Sequence, residues 1–222
     1  MSVVQLSGSL QLLERAEAGH AGARFITVER PTALLGRRQD ALILDSGAVD
    51  RLGWDLLQRL TPGGVVYMDR SAVCLEVAVP ASHPGLTADV VAATRWFGAF
   101  FVRALTDLGL KPGLAPTNSP PASGLAAQVC FASWVRGEVL VEGRKVFGTA
   151  QYRRRGGALF QGVGLSAGSH DAVAAVLAGD DQARSEAAAA IERASAAIER
   201  VPRDLEDAIR HSLTREGLGF SD

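Results

Sequence analysis

Apolar residues recur at helical spacing in some stretches of this chain and at every second position in others, and the switches between the two periods mark its elements. Residues 9–19 (SLQLLERAEAG) predict a short helix, with Ser9 as its cap and Gly19 as its stop. Residues 24–35 (RFITVERPTALL) predict two short strands separated by Pro31, followed by a polar loop, Gly36-Arg37-Arg38-Gln39. Residues 47–58 place Val49, Leu52, Leu56 and Leu57 on one side of a helix. Pro62-Gly63-Gly64 marks a turn, and Val65-Val66-Tyr67 enters a strand. Over residues 73–79 the alternate positions Val73, Leu75, Val77 and Val79 share one face, and Pro80 ends the strand. The clearest helix spans residues 88–108. Thr87 stands at the N-cap position, Asp89 suits the first turn, and Gly109 closes the helix. Its stripe of Val90, Thr94, Phe97, Phe101 and Leu105 reads as core packing.

Residues 112–124 (PGLAPTNSPPASG) predict a long, mobile surface loop. Strands are then expected at 127–134, 138–141, 145–152 and 158–165, with tight turns at Glu142-Gly143 and Gly156-Gly157, which makes an antiparallel meander. After residue 170 the pattern becomes helical. A short helix is expected at 171–177 and an Ala-rich one at 183–200, in which Ile191-Glu192-Arg193 returns as Ile198-Glu199-Arg200. Pro202 opens a last helix with Leu205, Ile209 and Leu213 on its buried face. This order of elements predicts an α+β fold, a mixed β-sheet core flanked by helices. Residues 1–170 form its main domain, and residues 171–222 form a helical C-terminal extension packed on it.

Composition narrows the class without naming a chemistry. The chain has 222 residues, 47% hydrophobic and 21% charged, enough to bury a core without disulfides or metal. Lys plus Arg total 23 against 24 Asp plus Glu, a net charge of −1, so nothing global draws the chain to nucleic acid or to an acidic membrane. The run Arg153-Arg154-Arg155 is the one local basic patch. Two cysteines, Cys74 and Cys130, are too few for a secreted disulfide scaffold. Residues 1–13 lack the features of a signal peptide, and no apolar run approaches the ~18–20 residues of a membrane span. The expected setting is cytoplasmic. The four histidines (His20, His83, His170 and His211) are dispersed and read as surface residues, so no metal site is expected.

Phosphate-loop, dinucleotide, H-E-x-x-H and C-x-x-C motifs are all absent from the sequence, and no nucleophile elbow is expected. The informative stretch is residues 130–151, centred on Lys145. A lysine just after a turn, on a strand with small residues at Gly148 and Ala150, can hold a carbonyl, carboxylate or phosphate that approaches the backbone. Most lysines after hairpin turns are simply solvated.

The run Gly143-Arg144-Lys145-Val146-Phe147-Gly148-Thr149-Ala150-Gln151-Tyr152-Arg153 resembles the G-[RK]-K-[IV]-x-G-x-[AS]-Q-x-R signature of the lipoate–protein ligase and octanoyltransferase superfamily. Upstream, Arg59-Leu60-Thr61-Pro62-Gly63-Gly64-Val65-Val66-Tyr67 is similar to that family's R-R-x-[ST]-G-G-G-A-V-Y loop, and Leu34-Leu35-Gly36-Arg37-Arg38-Gln39 resembles its (V/L)-(L/I)-G-x-x-Q segment. The three motifs occur in the family's order. The resemblance implies the class II biotin/lipoyl synthetase-like fold and attachment of lipoyl or octanoyl groups to a lysine on lipoyl-carrier domains of 2-oxo-acid dehydrogenase complexes or on the glycine-cleavage H protein. It implies that Lys145 meets the acyl carbonyl. It also implies that substrate is bound by Arg59, Thr61, Gly63, Gly64 and Val65 of the loop and by Gly148, Thr149, Ala150 and Gln151 of the strand.

One octanoyltransferase branch carries a Cys-Phe pair upstream of this lysine, and Cys130-Phe131 is similar to it. A thiolate there could take the acyl group from a thioester, with Lys145 favouring the thiolate and the developing oxyanion. The bland alternative is a small buried cysteine on a strand, which is the reading given to Cys74. ATP-using ligases tend to carry Asn-Asp where this chain has Gly137-Glu138. The chain also departs from the family at Gln58, Pro62, Met68 and Gln161-Gly162-Val163, losing two histidines and one N–H donor. The biotin-ligase G-R-G-R-x-G-type loop is missing. Three readings stand open. The first is thioester transfer through Cys130 and Lys145, with no cofactor and an octanoyl or lipoyl donor. The second is an ATP- and Mg-dependent ligase using Lys145 alone. The third is a non-catalytic acyl- or carrier-binding homologue.

Overall fold

A computed structural model of the chain describes residues 4–5 and 7–220. Its backbone is a six-stranded antiparallel sheet in the order β2 (Gly22–Ile26), β6 (Ala72–Pro80), β10 (Gly157–Leu165), β9 (Arg144–Arg154), β8 (Val139–Val141), β7 (Pro112–Leu114). A smaller mixed sheet runs β1 (Val4–Gln5), β4 (Asp55–Gln58), β3 (Thr32–Leu35), β5 (Val66–Met68), with β4 parallel to both of its neighbours. The α+β reading therefore stands, with the mixed pairing confined to the smaller sheet.

Strand β6 shows how sequence period becomes two cores. Val73, Leu75, Val77 and Val79 face one side, where they join Phe97, Phe100, Phe101 and Leu105 of helix α3 (Val90–Asp107) and Leu205, Ile209 and Leu213 of helix α5 (Pro202–Thr214). The even-numbered residues face the other side. Ala78 packs there on Leu12, Leu13 and Ala16 of helix α1 (Ser7–Glu17), while Cys74 joins the core around the smaller sheet and Ile191 of helix α4 (Asp181–Ala194). The strand is buried on both faces, as central strands between two layers are. Phe101 stacks on Phe147 with ring centroids 4.1 Å apart, and each such buried aromatic contributes about 1.5–3 kcal/mol. The segment after residue 170 enters both cores, through Val173, Val176 and Leu177 on one side and Ile198 and α5 on the other.

Several local expectations are corrected. Residues 47–58 are not one helix: α2 (Ser46–Arg51) is capped by Asp45, and the chain then extends as β4, whose Leu56 and Leu57 serve a strand. Ser9 lies inside α1 and donates its hydroxyl to Glu76 instead of capping. Helix α3 is capped by Asp89, which accepts from the Val91 and Ala92 N–H groups, and Thr87 lies outside it. Residues 127–134 form no strand; two 3-10 turns, Gly124–Gln128 and Cys130–Ala132, take their place. The expected loop 112–124 begins with β7. Helix α4 ends at Ala194, because Ser195 bridges to Lys145 in β-fashion and Ala196 N–H donates to the Lys145 carbonyl. The second Ile-Glu-Arg unit therefore lies in irregular chain outside the helix.

Candidate active site

Three segments converge between the two sheets. The loop after β4 carries Arg59, Thr61, Gly63 and Gly64. Its Val65 N–H donates to the Gln128 carbonyl (2.8 Å), and its Val65 carbonyl accepts from the Cys130 N–H (3.0 Å). This bridge seats the 124–132 turns against the loop. Gly64 is required at that seam, since a Cβ would come within 2.6 Å of both Cys130 N and Gln128 O. Gln39 adds a clasp, donating to the Gln128 carbonyl while accepting from Gly36 N–H, which explains the Gly-x-x-Gln spacing upstream.

The third segment is β9. Strict alternation would put Lys145 beside Phe147, on the face that packs against α3. A register shift in the β8–β9 ladder, where Val139 pairs Phe147 but Leu140 pairs Lys145, inserts an extra residue and redirects the lysine. Its side chain passes over Gly148, where a Cβ would stand 3.2 Å from Lys145 Cε and 3.3 Å from Cys130 Sγ. Lys145 as a whole is 1% exposed, and its ammonium is fully engaged. It donates to the Cys130 carbonyl at 2.8 Å and the Ser133 carbonyl at 3.2 Å, stands 3.4 Å from Cys130 Sγ, and pairs with Glu138 Oε1 at 2.8 Å. Glu138 also accepts from Thr149 N–H and, through its other oxygen, from Val135 N–H. A buried ion pair persists when its remaining valences are satisfied in this way.

A cavity of about 230 Å³ opens beside these groups. Lys145, Cys130, Arg59, Thr61, Gly63, Gly64, Gly148, Thr149 and Ala150 border it, and apolar side chains of Leu34, Val66 and Val163 line its depth. Two residues expected there lie elsewhere. The Val65 side chain is fully buried in the core, and this residue acts only through its backbone bridge to Cys130. Gln151 faces α3, donating to the Val90 carbonyl (2.9 Å) and Thr94 hydroxyl (2.7 Å). Cys74 is core, 3% exposed, yet it also touches the cavity floor. Cys130 is half-buried and begins a 3-10 turn.

Burial by itself disfavours the Lys145 charge, but Cys130 and Glu138 together outweigh it and hold its pKa above the ordinary value. Burial pushes the Cys74 thiol up to about 12, so it stays protonated and inert. Burial lowers the Arg59 pKa, with both cysteines opposing the shift. Its guanidinium is tied to the carbonyls of Leu34 (3.0 Å) and Gly64 (2.8 Å), bracing the glycine loop. His170, read from sequence as a surface residue, is 2% exposed. It stacks on Phe131 at 3.4 Å, with neither ring nitrogen hydrogen-bonded. Burial first, then the Lys145 charge, lowers its pKa to about 3. Sequence reasoning also missed Glu138 as the lysine's partner. Its signal was a lone carboxylate at the head of an apolar strand.

A buried cation beside a half-buried thiol, at the mouth of an apolar cavity between two sheets, is a site with an apolar interior and a polar, nucleophile-bearing end. The chain belongs to the lipoyl protein ligase A/B catalytic-domain family, whose model matches residues 5–211. It is 35% identical over 130 residues to a protein named octanoyltransferase LipM from Kyrpidia tusciae, covering 57% of this chain and 47% of that one. It is 32% identical over 142 residues to the protein of the same name from Staphylococcus aureus, covering 60% and 50%. The chain thus spans about half the length of the curated relatives it matches. Among solved structures, a bi-partite lipoate protein ligase from Thermoplasma acidophilum superposes with a TM-score of 0.74 at 18% identity, over 99% of this chain and 84% of that one. A lipoate-protein ligase A bound with ATP gives 0.72 at 17% identity, over 100% and 88%. These likenesses show the fold. Among the described residues, no helix is long and apolar enough to cross a membrane, and no group of three or more His, Cys, Asp or Glu side chains is placed to hold a metal ion.

Proposed function

We propose that this protein transfers an octanoyl or closely related acyl group from a thioester donor to a lysine of a lipoyl-carrier domain, through a covalent intermediate on Cys130. The observation that carries this reading is the 3.4 Å approach of Lys145 Nζ to Cys130 Sγ at the cavity mouth. The Cys130 thiolate attacks the donor's carbonyl carbon, and the oxyanion that forms is met by the Lys145 ammonium. The donor's C–S bond breaks, and the departing thiolate takes up the proton that Cys130 gave up. The carrier's lysine amine then attacks the Cys130 thioester, forming an amide, and its surplus proton returns the sulfur to the thiol. The apolar depth of the cavity holds the chain and keeps water from the intermediate.

The relatives named octanoyltransferase support this direction. A ligase would need ATP and Mg. The charged groups bordering the cavity are Arg59, Glu138 and Lys145, and the thiol beside Lys145 is a nucleophile that a ligase would leave unused. We derive no adenylate step.

The test is intact mass after mixing the protein with octanoyl-loaded acyl carrier protein. The expected result is a gain of one octanoyl group that is absent in Cys130→Ser and that moves to a lipoyl domain's lysine when the domain is added. Acylation of the domain only with free octanoate and ATP, unaffected by Cys130→Ser, would establish the ligase reading. Acyl binding without any transfer would make the chain a non-catalytic homologue.

A further inference from the structure

The basic run noted in the sequence has no part in the acyl site. The structure divides it. Arg153 turns to the α3 side, its Nε donating to Gln151 Oε1 and its Nη1 to the Thr87 carbonyl, each at 2.7 Å. Arg154 lies on the other face, its guanidinium 5.9 Å from the Tyr152 ring centre, and it pairs with Glu17 at 3.1 Å. Onto the same ring, from the 36–39 loop, comes Arg37, whose guanidinium carbon sits 4.4 Å from the ring centre. Both arginines lower the phenol's pKa, first Arg154 and then Arg37, as a locally positive potential must.

This cluster stands at the rim of the cavity. Gly148, Ala150 and Tyr152 share one face of β9, and across the sheet each opens a row: Gly148 beside Val163 and Cys74, Ala150 beside Gln161 and Glu76, Tyr152 beside Leu159 and Ala78. Tyr152 lies four residues along the strand from Gly148, roughly 13 Å at strand spacing. Arg37 is bound to the same rim, because its N–H donates to the Thr61 carbonyl at 3.0 Å. Arg37, Arg38, Arg154 and Arg155 are exposed. The nearby carboxylates offset one of the four. Glu17 takes Arg154 alone, and Asp40 turns its oxygen to the Leu42 N–H. Among the described residues, no carboxylate lies within ion-pairing distance of Arg37, Arg38 or Arg155.

We propose that Arg37 and Arg154, laid on Tyr152 at the cavity rim, form with Arg38 and Arg155 a docking ledge for a small acidic carrier protein that presents the acyl thioester on a flexible arm. The proposal rests on the transferase reading and names the donor's side of it. Charges spread over two exposed segments steer and orient an oppositely charged protein surface, whereas one phosphate would call for convergent donors. The distance separates donor from acceptor. A carrier on a long arm can dock a strand's length from the thiol, but an acceptor lysine is short, and its domain must close over the mouth near Gly63 and Val135. Its amine also gains nothing from neighbouring guanidinium groups.

The experiment compares KM for three substrates in Arg37→Glu, Arg154→Glu and the milder Arg37→Gln. For the octanoyl carrier protein, each charge reversal should raise KM about tenfold at low salt with little change in kcat, and should flatten the salt dependence. Arg37→Gln should lie between wild type and Arg37→Glu. KM for an uncharged octanoyl N-acetylcysteamine thioester, and for the acceptor domain, should not move. A rise in acceptor KM instead, or no change with any substrate, overturns the ledge. Fluorescence anisotropy of labelled octanoyl carrier protein on Cys130→Ser tests docking without turnover. Binding that Arg37→Glu abolishes, in a protein whose wild type never transfers the acyl group, would remove the transferase reading and leave the ledge. Absence of both binding and turnover removes both.

Discussion

Two buried carboxylates organise this molecule, and they differ in what they leave open. Glu76, fully buried on β6, accepts from Ser9, Arg24 and Gln161, and Gln161 in turn receives the Thr61 hydroxyl. Every valence of that group closes on protein, so it is a wall: it pins the glycine loop to the sheet and does nothing else. Glu138, 2% exposed, also closes on protein, but the cation it holds stands at the edge of a cavity. Lys145 keeps contact with a half-buried thiol and an apolar cavity. A network closed off inside the core gives rigidity, and one that borders a thiol and a cavity gives a site.

The comparison is broken most severely at Lys145. Lys145→Met should cut acyl transfer roughly 100- to 1,000-fold, the cost of losing one oxyanion-stabilising group. It should also destabilise folding by about 3–5 kcal/mol, because Glu138 is left buried without its cation. The double variant Lys145→Met/Glu138→Leu separates the two effects, since exchanging a whole buried pair for apolar groups is often neutral. Partly recovered urea stability, short of wild type because the Thr149 and Val135 N–H groups lose their acceptor, with activity still lost is the expected outcome. Transfer at the wild-type rate in either variant would place the chemistry elsewhere.

At Glu76 the effect should fall on folding instead. Glu76→Leu strands Arg24, Ser9 and Gln161, and an unfolding loss of about 3 kcal/mol is expected. Activity per folded molecule, counted by burst titration of the acyl-enzyme, should stay within a few-fold of wild type. A kcat collapse comparable to that of Lys145→Met would mean that the wall takes part in the chemistry.

A third break uses pH. His170 has a folded pKa of about 3 against an ordinary value near 6.5, through burial and then the Lys145 charge. The unfolded chain therefore binds a proton between those values and the folded chain does not. Stability is full above about pH 6.5 and falls by about 1.4 kcal/mol per unit as pH drops toward 3. His170→Phe keeps a flat ring on Phe131 and removes that slope. Between about pH 7 and pH 5, urea unfolding should lose about 2 kcal/mol more in wild type than in the variant. Parallel curves would show that the imidazole reaches solvent.

Much of this was legible in the sequence where period alone decides. The β6 alternation, the α3 face and the β8–β9–β10 meander follow from side-chain spacing, and the motif around Lys145 identified its family. The remainder was not legible, for physical reasons. Leu52, Leu56 and Leu57 fit a helix and a strand equally well over so short a run, and Gly53 inside it, at φ +64°, was the breaker. Residues 127–134 look strand-like by composition, but Gly64 and Gln39 hold them as turns by contacts distant in sequence. Lys145 faces the cavity through a bulge that no pattern announces, and the same alternation sends Gln151, a motif residue, to α3. His170 sits in a Gly-Ser-His-Asp run that reads as solvent-facing loop, and only the fold brings Phe131 onto it.

The smallest break lies at the meeting point of the three segments. A methyl at Gly148 would touch Lys145 Cε at 3.2 Å and both Cys130 Sγ and Phe131 Cε2 at 3.3 Å, tighter than ordinary contact but not impossible. Backbone φ at this position is not in the left-handed region, so strain comes from packing alone. The two ends of flexible side chains can yield a few tenths of an ångström, while Phe131, held by His170, cannot. Gly148→Ala should therefore cost about 1 kcal/mol of stability and slow acyl-enzyme formation several-fold by moving the ammonium off the sulfur. Hydrolysis of a preformed Cys130 thioester should change less, because the sulfur is then already bonded. Stopped-flow acylation against single-turnover deacylation reads the two steps apart. If both slow equally, Gly148 shapes the chain's path through the cavity and not the lysine–thiol contact.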